Sequence, residues 1–232
     1  MTLKLTLLIL ALAPLYPSAE AAIGDPGFEG TGAGPWIADN WDGPFLQNFD
    51  ATDQVHGGAQ ALRQQANGSN VANNWEKAEA KQIFAVNPGD VINGGAWMRW
   101  ANLTGNIEAF VEAKWLDAGQ QELTTSSTGI LGLGTVHKTS GSGNWEFQDL
   151  GTWSQAQRTA PTQARFIDLR LVLLSPGGAD TATGTVWWDD AQFSVIPEPG
   201  TASLFGTGLL TALGCFVRRK SKSNSQSNFD LV

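Results

Sequence analysis

Apolar and polar residues alternate along several short stretches of this chain, and turn-forming residues separate the stretches. In residues 107–115 and 165–173 the apolar side chains occupy every second position. Successive side chains of a β-strand point to opposite faces of the sheet, so this alternation predicts strands with one buried face and one exposed face. The expected buried residues are Ile107, Ala109, Val111, Ala113 and Trp115 in the first stretch, and Ile167, Leu169, Leu171 and Leu173 in the second.

Turn signals bound such strands throughout the central part of the sequence. Clusters of glycine, proline and asparagine, such as Asn87-Pro88-Gly89-Asp90, recur about every ten residues, which is typical of all-β sandwiches and barrels. No amphipathic helix of useful length interrupts the pattern between residues 22 and 195. The piece 124–143 is rich in threonine, serine and glycine, and we expect it to include a long loop.

The first residues of the chain carry the features of an export signal. Lys4 precedes an apolar run at residues 5–13, and Ala19-Glu20-Ala21 supplies the small residues of a cleavage site. A basic start, a short apolar core and an A-x-A site are typical of a secretory signal peptide, here residues 1–21. The core of about nine residues is too short to remain as a membrane-spanning helix. We expect cleavage after Ala21, with Ala22 as the alternative.

The other end of the chain combines a proline-rich turn, an apolar segment and a basic cluster. The two prolines of the turn at 197–200 prevent it from continuing a strand or entering a helix. Residues 201–217 contain no charged side chain, and a helix of roughly 17 residues is at the short end for crossing a bilayer. The basic cluster at 218–220 marks the cytoplasmic side of such a helix.

This order of elements resembles the PEP-CTERM sorting signal of exported bacterial proteins, which a membrane-embedded exosortase recognises and cuts. The resemblance implies that residues 196–220 anchor the protein transiently in the inner membrane, and that residues 221–232 form a polar tail. Processing would leave the protein at the cell surface, in the outer envelope or in the extracellular matrix. A single-pass anchor that is never cut is the alternative. The resemblance is carried by Pro197, Glu198, Pro199, Gly200, Arg218 and Arg219.

Charge and cysteine content limit the partners of the segment between these ends. The chain has a formal net charge of −8 and one cysteine, Cys215, which lies in the apolar tail segment. An exported domain without disulfides must be held together by packing or by a bound ion. Acidic charge without a basic stripe argues against nucleic acid as a partner. A neutral ligand, a cation or simple solubility suits this charge balance.

Five motifs follow one another in residues 22–195: Asp25-Pro26-Gly27-Phe28-Glu29, residues 55–62, Val86-Asn87-Pro88-Gly89-Asp90, Gly95-Ala96-Trp97-Met98 and residues 187–193. Their order resembles carbohydrate-binding modules of the family 4/9 type, a jelly roll related to galactose-binding domains. The resemblance implies an antiparallel jelly-roll β-sandwich that binds polysaccharide. Two tryptophans near its start, Trp36 and Trp41, would either line a loop site at the end of the sandwich or plug that end.

Modules of this kind often hold one structural calcium ion, and the resemblance places its ligands at Glu29 and Asp189. Calcium prefers oxygen ligands from carboxylates and backbone carbonyls. If Asp189 shares the inward face of its strand, an unpaired carboxylate there would be costly, and Ca²⁺ with carbonyls from the Gly57-Gly58 turn would satisfy it. The alternatives are turn amides or an arginine as partners of Asp189, and a bulge that exchanges its role with that of Asp190.

Aromatic residues that share a face with charged residues are the candidates for binding sugar. The chain contains 10 tryptophans, most of which we expect in the core. The alternation places six candidates together on the outer face of one sheet, as a glycan groove requires. The alternatives are that the loop at 124–143 covers this face, or that the residues are ordinary surface. The candidates are Trp97, Arg99, Phe110, Glu112, Phe166 and Arg170.

No catalytic motif appears outside the two ends of the chain. The two histidines, His56 and His137, form no metal-binding pair, and no nucleophile elbow or phosphate-binding loop is present. Glu108 and Glu112 alternate on one strand about 13 Å apart, beyond the carboxylate spacing of about 6.5–9.5 Å in inverting glycosidases. The sequence therefore predicts a non-catalytic surface or matrix protein that binds polysaccharide. A structural or adhesive surface protein without sugar binding is the alternative.

Overall fold

Two antiparallel β-sheets packed face to face make up the part of the chain that the structure describes. The structure, a computed structural model, describes residues 22–41, 45–68, 76–123, 132–176 and 181–197. The strands are β1 Ile37–Trp41, β2 Phe45–Ala51, β3 Ala61–Asn67, β4 Glu76–Ala85, β5 Val91–Thr104, β6 Glu108–Leu116, β7 Leu133–Gly134, β8 Gly141–Asp149, β9 Phe166–Ser175 and β10 Thr183–Ile196. One short 3₁₀ helix, Leu150–Thr152, lies between β8 and β9 in the described part of the chain.

The strand order identifies the sandwich as a jelly roll. Sheet A has the order β1-β4-β9-β6-β7, and sheet B has the order β2-β3-β10-β5-β8. From β3 onward, each sheet takes four strands in the interleaved order of two Greek keys, with β1 and β2 added at one edge. The predicted all-β class is therefore confirmed for the described residues, and consecutive strands from β3 to β6 alternate between the sheets.

The core between the sheets contains the residues that alternation assigned to it. All five apolar residues expected on the inner face of β6 are at most 1% exposed, and the four expected on β9 are fully buried. A buried hydrogen-bond chain also crosses the core. Trp188 Nε1 donates to Gln64 Oε1 at 2.8 Å, and Gln64 Nε2 donates to the carbonyl of Leu171 at 3.1 Å. Since β3 and β9 belong to different sheets, Gln64 fixes the sheets relative to each other.

The structure bears on two sequence expectations about loops. The piece 124–143 is not a loop throughout, because β7 and the start of β8 lie within it; its residues 124–131 lie outside the described residues. Trp36 does not line an open site: it is 3% exposed, stacks on Phe28 at 5.1 Å and donates from Nε1 to the carbonyl of Asp25 at 3.0 Å. Trp36 thus plugs the end of the sandwich, and the side chain of Trp41 lies outside the described residues.

Both predicted targeting segments lie outside the described residues, apart from Ile196 and Pro197. The signal peptide with Ala19 and Ala21, and the sorting elements Glu198, Pro199, Gly200, Arg218 and Arg219, therefore stay predictions. Pro197 follows the last strand and is exposed. Within the described ranges, the structure contains no helix that is long and apolar enough to cross a membrane.

Candidate functional site

The outer face of sheet A carries a groove with a volume of about 880 Å³. Its lining residues come from all five strands of sheet A, from the segments that flank β7, and from Trp153, which follows the 3₁₀ helix. Acidic, basic and apolar side chains alternate across its surface. The charged lining residues are Asp39, Glu76, Lys77, Glu79, Lys81, Glu108, Glu112, Lys114, Glu122 and Arg170; the others include Phe110, Gly134, Thr135, His137, Trp153, Val172 and Leu174.

Strand register brings these residues together in rows across the sheet. Arg170 of β9 lies opposite Glu112 of β6, and Val172 of β9 lies opposite Phe110 of β6. Cross-strand partners point to the same face, so the polar positions of two alternating strands form one surface. The inner faces of the same strands are apolar, and this fixes which residues face outward. The alternation within each strand was therefore sufficient to predict which residues of β6 and β9 face outward.

Arg170 is the central cation of the groove. Its guanidinium donates two hydrogen bonds to one oxygen of Asp168, at 2.7 and 2.8 Å, and lies 3.7 Å from Glu79 and 4.0 Å from Glu112. Burial raises the pKa of Asp168 and of Glu112, although the positive charges of Arg170 and of nearby lysines oppose the shift. Asp168 and Glu79 are each 2% exposed, so Arg170 neutralises acids that water scarcely reaches.

Lysines balance the remaining acids at both sides of the groove. Lys77 lies 2.9 Å from Glu79, and Lys81 lies 3.0 Å from Asp39, whose pKa these two lysines hold below its ordinary value despite partial burial. Lys114 contacts Glu122 at 3.1 Å. Each lysine or arginine that lines the described groove thus has a carboxylate oxygen within about 3 Å.

A small apolar cluster interrupts the charged surface, and a histidine covers it. Phe110, Val172 and Leu174 pack together with at most 7% exposure. The His137 ring stacks on Phe110 with centroids 3.9 Å apart and planes 14° apart, while His137 Nδ1 lies 2.9 Å from Glu108 Oε2. Because His137 covers it, Phe110 has little surface of its own in the groove.

Three residues of this region escaped the sequence interpretation. The sequence shows His137 only as a histidine without a metal-binding partner, and it does not single out Trp153 or Gly134. Trp153 Nε1 donates to the carbonyl of Gly134 at 2.8 Å, which holds the indole against β7. Only the pairing of β7 with β6, at Glu112↔Gly134, brings these residues beside the predicted ones.

The structure separates the six predicted sugar-binding residues. Phe110, Glu112 and Arg170 line the groove, and Phe166 lies on the same face at the start of β9 but outside the lining. Trp97 and Arg99 belong to β5 in sheet B, so the expectation that all six share one sheet face is wrong. The physical reason is the jelly-roll connectivity, which sends β5 and β6 to different sheets. Whether any of the six binds sugar stays a prediction.

Trp97 has aromatic neighbours of its own on the outer face of sheet B. The His56 ring stacks on Trp97 with centroids 4.0 Å apart, and Phe147 lies 5.7 Å from Trp97. Trp145 meets His56 edge-on at 5.5 Å. In the described residues, Arg99 next to this cluster has no carboxylate within ion-pair distance.

The two predicted calcium ligands meet at the loop between β2 and β3. Asp189 is fully buried, and its carboxylate accepts the backbone N–H groups of His56 at 2.8 Å, Gly57 at 3.0 Å and Asp190 at 2.7 Å. Burial raises the pKa of Asp189, and these amides oppose the shift. Glu29 accepts the amides of Ala59 and Gln60 at 2.7 and 3.2 Å. The loop therefore presents N–H groups to both acids, which agrees with the alternative of turn amides for Asp189 and not with the carbonyls of a calcium site.

A bulge in β10 brings a third carboxylate to the same place. The register of β10 against β5 shifts between Asp189 and Gln192, and Asp190 adopts a φ of 43°. A side chain at Gly27 would place its Cβ 3.6 Å from one oxygen each of Asp189 and Asp190 and 3.5 Å from Cγ of Glu29. The carboxylate oxygens of Asp189 and Asp190 are of the kind that a hard cation prefers as ligands. Within the described part of the chain, however, no three potential metal-binding side chains come together as a group.

Comparison with known proteins identifies structures but no family. No protein-family model and no curated protein matches this chain. The CBM22-1 xylan-binding domain of Paenibacillus barcinonensis Xyn10C is 11% identical, with 78% of this chain and 97% of that chain covered and a TM-score of 0.48. TmCBM61 in complex with β-1,4-galactotriose is 16% identical, with 76% and 97% covered and a TM-score of 0.44.

A phage protein of another kind is also similar. The enzymatically active domain of tailspike protein 4 from bacteriophage CBA120 is 12% identical, with a TM-score of 0.47. The match covers 75% of this chain and 21% of that one, so this chain spans about a fifth of the tailspike structure's length. At these identities and TM-scores the fold assignment rests on the strand order. Any ligand has to be inferred from the side chains that line the groove.

The Arg170→Leu substitution tests how the groove floor is held. Without the guanidinium, Asp168 and Glu79 become buried charges without their central cation, and stability should fall by about 3–5 kcal/mol at pH 7. The folded-state pKa values of Asp168 and Glu112 already lie above the ordinary values of 3.8 and 4.5. Their protonated forms therefore favour the folded state at low pH, and this contribution is lost as the pH rises through the raised values. The loss caused by the substitution should consequently shrink near pH 4.

Urea unfolding at both pH values measures this difference, and Arg99→Leu on sheet B is the matched control. A surface arginine without an ion pair should cost no more than about 0.5 kcal/mol when replaced. Equal losses for the two variants at pH 7, or an Arg170→Leu loss independent of pH, would contradict a floor held by charge balance.

Proposed function

We propose that this protein binds a polysaccharide chain in the groove of sheet A and does not cleave it. The observation that carries the proposal is the groove itself: rings and apolar side chains lie within a dense array of hydrogen-bonding charges. Pyranose rings present apolar C–H faces and polar hydroxyl edges, so they need both kinds of contact. Clefts of about 300–1,000 Å³ with a few placed polar groups are typical ligand sites.

The carboxylates of the groove are placed to hold a ligand in position. Glu79 and Asp168 are buried and held by cations, which leaves them unavailable as an exposed acid and base. Glu108 and Glu112 alternate along β6 with Phe110 between them, so their separation of about 13 Å exceeds that of a hydrolytic pair. Fixed carboxylates remain good acceptors for hydroxyl groups, and this suits binding without chemistry.

A structural or adhesive role is the second candidate, and the aromatic cluster on sheet B favours it. Trp97, Trp145 and Phe147 are partly exposed on the face opposite the groove. Clustered aromatic residues are enriched where proteins contact each other. In that case, the surface around Trp97 would be the one that contacts protein partners.

Paired aromatic truncations on the two sheets distinguish these functions. The Phe110→Ala variant removes the support of His137 and should weaken glycan binding about tenfold or more, by analogy with about 1–3 kcal/mol for stacking on an aromatic side chain. Trp97→Ala should leave glycan affinity unchanged. A glycan array identifies the ligand, affinity electrophoresis measures both variants, and thermal melting confirms that both fold. Loss of binding only in Trp97→Ala would place the site on sheet B, and no glycan binding by the parent would leave the structural role.

We also propose that Ca²⁺ stabilises the junction formed by Glu29, Asp189 and Asp190. Support comes from Asp189 and Asp190, which each have a carboxylate oxygen 3.6 Å from the Cβ position of Gly27, and from Glu29, whose Cγ lies 3.5 Å from the same position. An ion at this junction would supply a positive charge to acids otherwise held by amides. It would stabilise the fold and take no part in ligand chemistry.

Removal of calcium tests this second proposal. Free Ca²⁺ at about a hundred times its dissociation constant adds roughly 2.7 kcal/mol of stability, so a chelator should lower the melting temperature. Asp189→Ala should abolish the difference between calcium and chelator, whereas Asp168→Asn, a buried aspartate of sheet A, should keep it. Identical melting of the parent protein with calcium and with chelator would mean that the amides alone satisfy Asp189.

We further propose that the protein is exported, anchored transiently by its C-terminal segment and processed by an enzyme of the exosortase type. The support is the pair of terminal signals in the sequence, together with the exposure of Pro197 directly after β10. A recognition motif that begins outside the folded core is accessible to a processing enzyme. The destination would be the cell surface, the outer envelope or the extracellular matrix.

Intact-mass spectrometry of the protein from its own cells checks the processing. Both termini should be trimmed, near Ala21 and near residues 197–200. Glu198→Ala should leave the C-terminal segment attached, while Ser223→Ala in the polar tail should have no effect. Recovery of the parent protein with Arg218 still present would support a permanent anchor.

A further inference from the structure

The groove contains a glycine, Gly134, with open space above it where another residue would place a side chain. Gly134 of β7 lies opposite Glu112, whose side chain faces the groove, so a side chain at 134 would point into the groove as well. A Cβ placed at Gly134 would find no atom closer than 4.0 Å. The space above Gly134, between His137 and Trp153, is called the notch below.

Two flat rings and a carboxylate surround the notch. His137 Nε2 lies 4.0 Å from the Cβ position of Gly134, and Trp153 Nε1 donates to the carbonyl of Gly134 at 2.8 Å. Phe110 supports the His137 ring from below, and Glu108 holds its Nδ1. The His137 side chain remains 42% exposed, so the ring face turned away from Phe110 is accessible.

The charge around the notch constrains what it can accept. The described lining of the groove contains six acidic and four basic side chains. The four cations are already paired with carboxylates, and Lys114, the lysine nearest to Glu112 along β6, contacts both Glu112 and Glu122. A polyanion entering here would meet an excess of negative charge without a free cation to offset it. A neutral sugar would meet acceptors for its hydroxyl groups.

On this basis we propose that the notch over Gly134 is the subsite that holds one pyranose unit of a neutral polysaccharide, with the rings of His137 and Trp153 as its walls and Glu112 as its hydroxyl acceptor. The inference rests on the proposed function and adds the residues that choose the ligand. It makes His137 the ring that contacts sugar, while Phe110 positions His137. It also gives Gly134 a role that a bulky side chain at this position would abolish.

Graded filling of the notch tests this assignment in the intact protein. Gly134→Ala adds one methyl group to open space and should weaken binding of neutral polysaccharides no more than a few-fold. Gly134→Leu fills the notch and should weaken binding at least tenfold, with the melting temperature unchanged. Affinity electrophoresis with xylan, β-glucan and galactan as neutral probes, and polygalacturonate and alginate as anionic probes, gives the affinities.

The second histidine provides a matched control for the first. His56 also stacks on an aromatic ring, Trp97, and also pairs with a carboxylate, Asp190, but it lies on sheet B. His137→Ala should therefore weaken neutral-glycan binding at least tenfold, and His56→Ala should not. Trp153→Ala should match His137→Ala.

The outcomes distinguish failure of the notch assignment from failure of the proposed polysaccharide binding in the groove. If the parent binds neutral probes and Gly134→Leu or His137→Ala binds equally well, the notch assignment is wrong while groove binding stands. Tighter binding of the parent to polygalacturonate or alginate than to every neutral probe overturns the choice of a neutral ligand. Binding of no probe at all by the parent removes both the proposed function and the subsite.

Discussion

The ion pairing of Arg170 is the constraint on which the open face of sheet A depends. Asp168 and Glu79 lie on the outer side of the sheet, yet both are nearly inaccessible to water. Burying two such carboxylates is costly unless a cation lies beside them with good geometry. The guanidinium of Arg170, together with Lys77 and Lys81, meets that requirement on the described outer face of sheet A.

On sheet B, backbone N–H groups stabilise the buried carboxylate. The buried carboxylate of Asp189 accepts three amides, two of them from the loop between β2 and β3. That loop is thereby drawn onto the outer face of sheet B, where His56 stacks on Trp97. In the described residues, loop amides thus satisfy the buried acid of sheet B, whereas side-chain cations satisfy the buried acids of sheet A.

The two histidines show how similar local contacts take different roles through their position. Each is stacked on an aromatic ring and each is paired with an acid. His56 lies in the loop that is pinned to Asp189. His137 lies at the rim of the groove beside Gly134, where one face of its ring remains open to a ligand.

Alternation along the strands was sufficient to predict the fold class, the inner faces of β6 and β9, and the outward position of Phe110, Glu112 and Arg170. A strand's faces follow from local geometry, because side chains alternate whatever the strand pairs with. The sequence could not place Trp97 and Arg99, because the choice of sheet depends on which strands pair over long distances, and β5 and β6 separate in the jelly roll. Nor could it reveal the notch, since Gly134, His137 and Trp153 meet Glu112 only through the pairing of β7 with β6. Tertiary structure decided the site because its residues come from separate strands and connecting segments, and only the pairing of those strands brings them into contact.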